Sequence, residues 1–224
     1  MECTIANMYD LRETIAAGLF EGKTYPWEVL PEIGDYIMEL GKTLDPEVFE
    51  KRGEDIWVAK DVKIYPTATL TGPLIVDEGT EIRPGAFIRG KAIIGKNCVI
   101  GNSTEIKNDI IFNNVQVPHY NYVGDSVLGF HSHMGAGSIT SNVKSDKTLV
   151  VVKDRNGEEI ETGYKKFGAM LGDYVEVGCN SVLNPGTVIG SHSNVYPLSM
   201  VRGVIPANSI VKNRAAQEIV SKEK

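Results

Sequence analysis

Residues 76–112 read VDEGTEIRPGAFIRGKAIIGKNCVIGNSTEIKNDIIF, and an apolar side chain returns at every sixth position. The beat starts upstream and runs through Val58, Ile64, Leu70, Val76, Ile82, Ile88, Ile94, Ile100, Ile106 and Phe112 without a break. Four positions after each beat comes a mostly small or apolar residue, from Val62 and Ala68 through Cys98, Thr104 and Ile110. Leu128 and Met134 add two beats, and a second series follows: Leu171, Val177, Leu183, Ile189, Val195 and Val201. This period fits neither the spacing of a helix, about 3.6, nor the simple alternation of a strand. It fits a triangular coil of three short strands, one aliphatic per side pointing inward, with Gly or Asn turning the corners at positive φ. Stacked coils pair in parallel at about 4.8 Å per turn. The expected fold is mainly β, a single-stranded left-handed parallel β-helix of hexapeptide repeats. About eighteen hexads, hence about six coils, are expected.

Other stretches lack the beat. Within residues 1–55, Met8, Leu11, Ile15 and Leu19 follow helical spacing, as do Leu30, Ile33, Ile37 and Leu40 after Pro26, with Gly41 placed as a C-cap. Two or three amphipathic helices are expected to pack on the first coil and cover its open sheet end. The β-helix is assigned to residues 56–206, with an insertion at about 143–166. There TLVVVKD and EEIETGY flank Asn156-Gly157, the signature of a projecting hairpin. Residues 207–224 form a polar tail, expected to be helical.

Composition narrows the partners. The chain has 224 residues and a net charge of −6, which disfavours nucleic acid or an anionic membrane as partner. Cys3, Cys98 and Cys179 are odd in number, widely spaced and without a CxxC, which suits a reducing cytoplasm. The N-terminal stretch lacks the pattern of a secretory signal, and no apolar run approaches a membrane span.

One stretch departs from its surroundings. Residues 117–126, VPHYNYVGDS, place Pro118 on the beat and follow it with His119, two tyrosines and an asparagine. Histidine exchanges protons near neutral pH, so His119 is able to accept a proton and pass it on, although a lone histidine at a turn is more often a surface residue. Lys107 lies two hexads earlier, and Arg83 and Arg89 supply further cations for an anionic ligand.

Taken in order, IRPGAFI, IGNSTEIKN, VPHYNYVGDS, MGAGSITSN and YKKFGAMLGDYVEVG make residues 60–214 resemble one family. It is the acetyltransferase domain of bifunctional N-acetylglucosamine-1-phosphate uridyltransferase/glucosamine-1-phosphate acetyltransferase. The PHYNYVGD wording looks still closer to archaeal-type sugar-1-phosphate nucleotidylyltransferases. The resemblance implies acetyl-CoA-dependent acetylation of glucosamine- or galactosamine-1-phosphate by a homotrimer, without a metal. It implies His119 as base and Asn142 as its orienting partner. It implies Lys107, Tyr122, Lys166 and an arginine as contacts to the sugar phosphate. Arg83 carries the family's RPG wording, but Arg89 has the expected spacing to Lys107 and is favoured. Ala136, Cys179, Pro197 and Arg214 fall where the family binds the coenzyme A arm and its phosphates. Two departures, His133 for an asparagine and Val143 for a tyrosine, bear on substrate identity. Nothing in residues 1–55 resembles a pyrophosphorylase, so no uridyltransferase activity is expected of this chain. Two alternatives stand beside this reading. One is a γ-class carbonic-anhydrase-like zinc enzyme using His131 and His133. The other is a non-catalytic β-helix that binds a sugar nucleotide.

Overall fold

The computed structural model describes residues 3–154 and 156–213. The chain winds as the expected hexapeptide β-helix. Its first side is an eight-stranded parallel sheet that starts at Lys63–Ile64 and ends at Ile210–Val211. The other two sides join into one 14-stranded sheet, because the long strands Glu105–Ile111 and Tyr122–Leu128 run continuously around the corner between them. The prism is therefore eight coils deep on its first side, not six. Coils whose hexads are interrupted still stack. The last strand, Ile210–Val211, pairs with Asn194–Val195, so the β-helix continues beyond residue 206. The expected helical tail otherwise lies outside the described residues.

Coil length explains the apparent break at Pro118. Leu74 pairs with Ala92 and Glu81 with Val99, a step of 18 residues. Ala92 then pairs with Asp109, and Gln116 with His133, a step of 17. One residue has been removed at the corner between the second and third sides, at Lys107–Asn108 and again at Gly124–Asp125. The inward beat moves back by one, to Ile111, Val117 and Val123, all fully buried. Pro118 is thus not on the beat, and Phe112 faces outward. The small inward slot after Ile106 belongs to Asp109 rather than Ile110. The same corner also accommodates the insertion after Asn142, so every irregularity of the repeat falls on one edge of the prism.

Along the third side the outward residues are apolar too. Trp57, Ile75, Ile93, Ile110, Val127, Met170, Val188 and Val204 form a registered ladder. The six from Ile75 to Val188 are fully buried. Their cover is the N-terminal segment, which lies along this flank rather than on the first coil. Met8 O accepts the Asp173 amide at one end, and Gly41 meets the Trp57 ring at the other. A Cβ on Gly41 would stand 2.5 Å from that ring, so glycine is required by this close approach, not by helix termination. Phe112 completes the seam, 5.2 Å from Tyr9 and 5.8 Å from Phe20 between ring centres. Each buried Ile or Val of the ladder contributes about 1.5–3 kcal/mol. The segment contains one regular helix of length, Ile33–Gly41, with only short turns of helix before it. The open sheet edge is covered instead by Phe49–Gly53, which pairs antiparallel with Ile56–Ala59.

In the insertion, Val151–Lys153 pairs antiparallel with Glu159–Glu161. Val150 and Val152 are buried and anchor its base, while the tip around Gly157 meets no neighbour. The last pair of its ladder is Lys153 with Glu159, so the connection is longer than a two-residue turn.

Candidate active site

All but Arg83 and Arg214 of the predicted residues fall into two groups at opposite edges of the second side. The first is a single column. Tyr120 N–H donates to Asn102 O, Gly137 to His119 O, Asn180 to Ala136 O and Leu198 to Cys179 O, at 2.8–3.0 Å. His119, Ala136, Cys179 and Pro197 are thereby stacked one coil apart, about 4.8 Å per step. Residues far apart in sequence, a candidate base and three candidate coenzyme A contacts, thus lie on one line. A groove of about 520 Å³ borders it, lined by Gly135, Gly178, Cys179, Tyr196 and Pro197. Small residues let a linear chain approach the backbone there. Arg214, the fourth coenzyme A candidate, lies outside the described residues.

His119 is exposed, and no hydrogen bond from the described residues reaches its ring. Its main chain is held firmly. The Asn121 side chain turns inward, accepts the His119 amide at 3.0 Å, and donates to Gly135 O at 2.8 Å and Ser138 O at 3.0 Å. Between them Tyr120 makes the corner at φ 52°. Asn121 was visible in the motif, but nothing in the sequence distinguished an inward clamp from a surface amide.

The second group gathers at the tightened corner. Arg89 N–H donates to Ile106 O, which sets Arg89 directly beside Lys107 on the next coil. Both line a cavity of about 340 Å³ with Lys91, Asn108 and Asp125. Arg83 stands elsewhere, on the first side, ion-paired to Glu81 at 3.3 Å. The Asn142 side chain donates to Tyr122 Oη at 3.0 Å and to Asp125 Oδ2 at 2.6 Å. Asn142 is therefore engaged with the sugar-side residues and not with His119. Lys166 bridges to Val143 as the insertion returns, one residue from Phe167, whose amide donates to Asn142 O. Burial raises the pKa of Tyr122 above its ordinary value, with the negative charge of Asp125 adding to it. Its hydroxyl therefore stays protonated at neutral pH.

His133 and His131 are drawn to different partners. His133 Nδ1 lies 2.8 Å from Glu176 Oε2, and His131 stacks on Tyr174 with ring centres 5.3 Å apart. A larger cavity, about 890 Å³, lies between the hairpin and the last coils and includes none of the predicted residues.

Beneath the corner lies Asp109, fully buried inside the prism. Its carboxyl accepts the amides of Lys107 and Ser126, each at 2.8 Å. Burial raises its pKa well above the usual carboxylate range, and Asp125 adds to the effect. A raised folded pKa means that the fold favours the protonated form. The associated stability is full below about pH 4 and declines as pH rises toward the folded value. Relative to Asp109→Asn, the native chain is expected to lose stability between pH 5 and pH 8. Denaturation midpoints of both proteins across that range measure it, and a pH-independent difference would contradict it.

The family model of the GMPPB C-terminal domain matches residues 70–220. Bifunctional protein GlmU from Methanococcus aeolicus is 34% identical over 180 residues, covering 72% of this chain and 43% of that protein. A bifunctional sugar-1-phosphate nucleotidylyltransferase/acetyltransferase from Sulfurisphaera tokodaii is 33% identical over 150 residues, covering 59% of this chain and 37% of that protein. The chain thus spans about two-fifths of the length of these relatives. Among solved structures, the polySia-specific acetyltransferase NeuO overlays with a TM-score of 0.44 at 16% identity, covering 73% of this chain and 86% of that one. With 151 of its 224 residues matched, from 70 to 220, the chain belongs to the GMPPB C-terminal domain family.

Proposed function

We propose that this chain is an acetyl-CoA-dependent N-acetyltransferase acting on an amino-sugar 1-phosphate of the glucosamine or galactosamine series. The observation that carries this reading is the column His119–Ala136–Cys179–Pro197, which aligns an exposed imidazole with a track for an extended thioester. The name of one curated relative fits it, since it includes acetyltransferase and sugar-1-phosphate. In the reaction, the amine lone pair attacks the thioester carbonyl while His119 accepts the ammonium proton. The C–S bond then breaks, and the thiolate leaves and takes up a proton. Arg89 and Lys107 hold the phosphate, and Tyr122 with Asn142 contacts the sugar ring.

One prism side is too flat to exclude water from an acyl transfer. The second side exposes Phe87 and Met200 between the two edges, at 40% and 68%. A homotrimer that buries this side would close the site. We also place the enzyme in the cytoplasm; among the described residues no helix is long and apolar enough to cross a membrane.

The test is thiol release from acetyl-CoA measured across hexosamines, their 1-phosphates and UDP-hexosamines. Turnover confined to the 1-phosphates supports the proposal, and no turnover with any amine removes it. Within that assay, Arg89→Ala is expected to raise KM for the sugar phosphate about tenfold, the scale of one charge-assisted hydrogen bond. Arg83→Ala is expected to leave KM within twofold. The opposite pattern would transfer the phosphate to the first side.

A further inference from the structure

We propose that Asp125 is the positioning residue of the sugar side, a single carboxylate that orients Lys107 and Asn142 toward substrate. This rests on the proposed acetyl transfer. Asp125 is 4% exposed and sits at φ 53°, in the shortened corner. Its Oδ1 accepts from Asn108 Nδ2 at 2.9 Å, and its Oδ2 accepts from Asn142 Nδ2 at 2.6 Å. Lys107 Nζ lies 3.6 Å from that same Oδ2. Its carbonyl accepts the Gly168 amide at 2.8 Å.

Asp125 therefore ties together three strands of the corner: the preceding coil at Lys107–Asn108, the departure of the insertion at Asn142, and its return at Gly168. Asn142 passes the constraint on to Tyr122. Both carboxylate oxygens face N–H donors, so neutral asparagine cannot replace it. An amide in its place retains one acceptor and turns its own NH₂ toward a donor. The residue keeps its distance from the chemistry, because the His119 column lies across the second side. On this account, removing the charge must affect the sugar phosphate and spare acetyl-CoA.

Asp125→Asn suits the test, since asparagine adopts the left-handed backbone readily. Steady-state kinetics are measured for both substrates, together with the melting temperature and a crystal structure of each protein. The expected result is a KM for the amino-sugar phosphate raised at least tenfold, with KM for acetyl-CoA within twofold. In the variant crystal, Asn142 is expected to leave Tyr122 and Lys107 to turn away from the corner. Equal rises in both KM values, matched by a large fall in melting temperature, would show a merely structural role and overturn the proposal. So would unchanged Lys107 and Asn142 side chains in the variant crystal. If the native protein turns over no amino sugar, the acetyltransferase reading fails by itself. The crystal comparison still decides whether Asp125 sets these side chains.

Discussion

Replacing His119 by alanine is expected to lower kcat by about 10²–10⁴-fold, the range of a lost general base. The side chain is exposed and accepts or donates no hydrogen bond within the described residues, so the fold should not register its loss. The melting temperature is expected to stay within about 2 °C, which keeps the kinetic effect interpretable. KM for acetyl-CoA should change little, because the groove along Cys179 and Pro197 remains intact. A fall in kcat of less than tenfold would exclude His119 as the base. Attention would then turn to the Tyr122–Asn142–Asp125 cluster on the other edge of the same side.

The second large effect is expected from a methyl group. Gly101 lies beneath Pro118, the residue before His119, and a Cβ there would stand 1.6 Å from the Pro118 carbonyl oxygen. Proline has no N–H to offer the ladder, and the coils close in at this point. The obstacle is main chain on both sides, so no rotamer change relieves it. Gly101→Ala is expected to cost about 3 kcal/mol or more, the upper end for overpacking. Any folded fraction should be poorly active, because the displaced strand carries His119. Gly157→Ala provides the contrast. Its Cβ would meet nothing, and only the positive φ is penalised, at about 1 kcal/mol. Equal midpoints in urea for the two variants would mean that the coils are not so close at Pro118.

The hexad was readable because a β-helix side repeats its demand for one inward aliphatic, and hydrophobic burial enforces it at each coil. Val76, Ile82, Ile88, Ile94 and Ile100 occupy the interior as the period required. Phe112 and Pro118 did not, since a deletion of one residue at a corner is silent in a pattern that still contains apolar residues nearby. The location of the N-terminal segment was hidden for a related reason. Ile75, Ile93 and Ile110 look like ordinary strand residues, and only their registration into a ladder exposes an apolar flank that needs covering. Asp109 and Asp125 carried no local signal. Their importance comes from amides and side chains that other coils bring to them.

By itself, then, the sequence determined the repeat, the coil it makes, and the residue types available to the proposed acyl transfer. Periodicity is a local property, and each hexad meets the same requirement without knowledge of its neighbours. Only the tertiary structure decided that His119 shares an edge with Ala136, Cys179 and Pro197, and that Arg89 rather than Arg83 stands beside Lys107. The physical reason is cumulative register. Coil length, 18 residues at first, then 17, 43 across the insertion and 16 at the end, determines which side chains stack, so spacing in sequence alone does not give the column a residue joins.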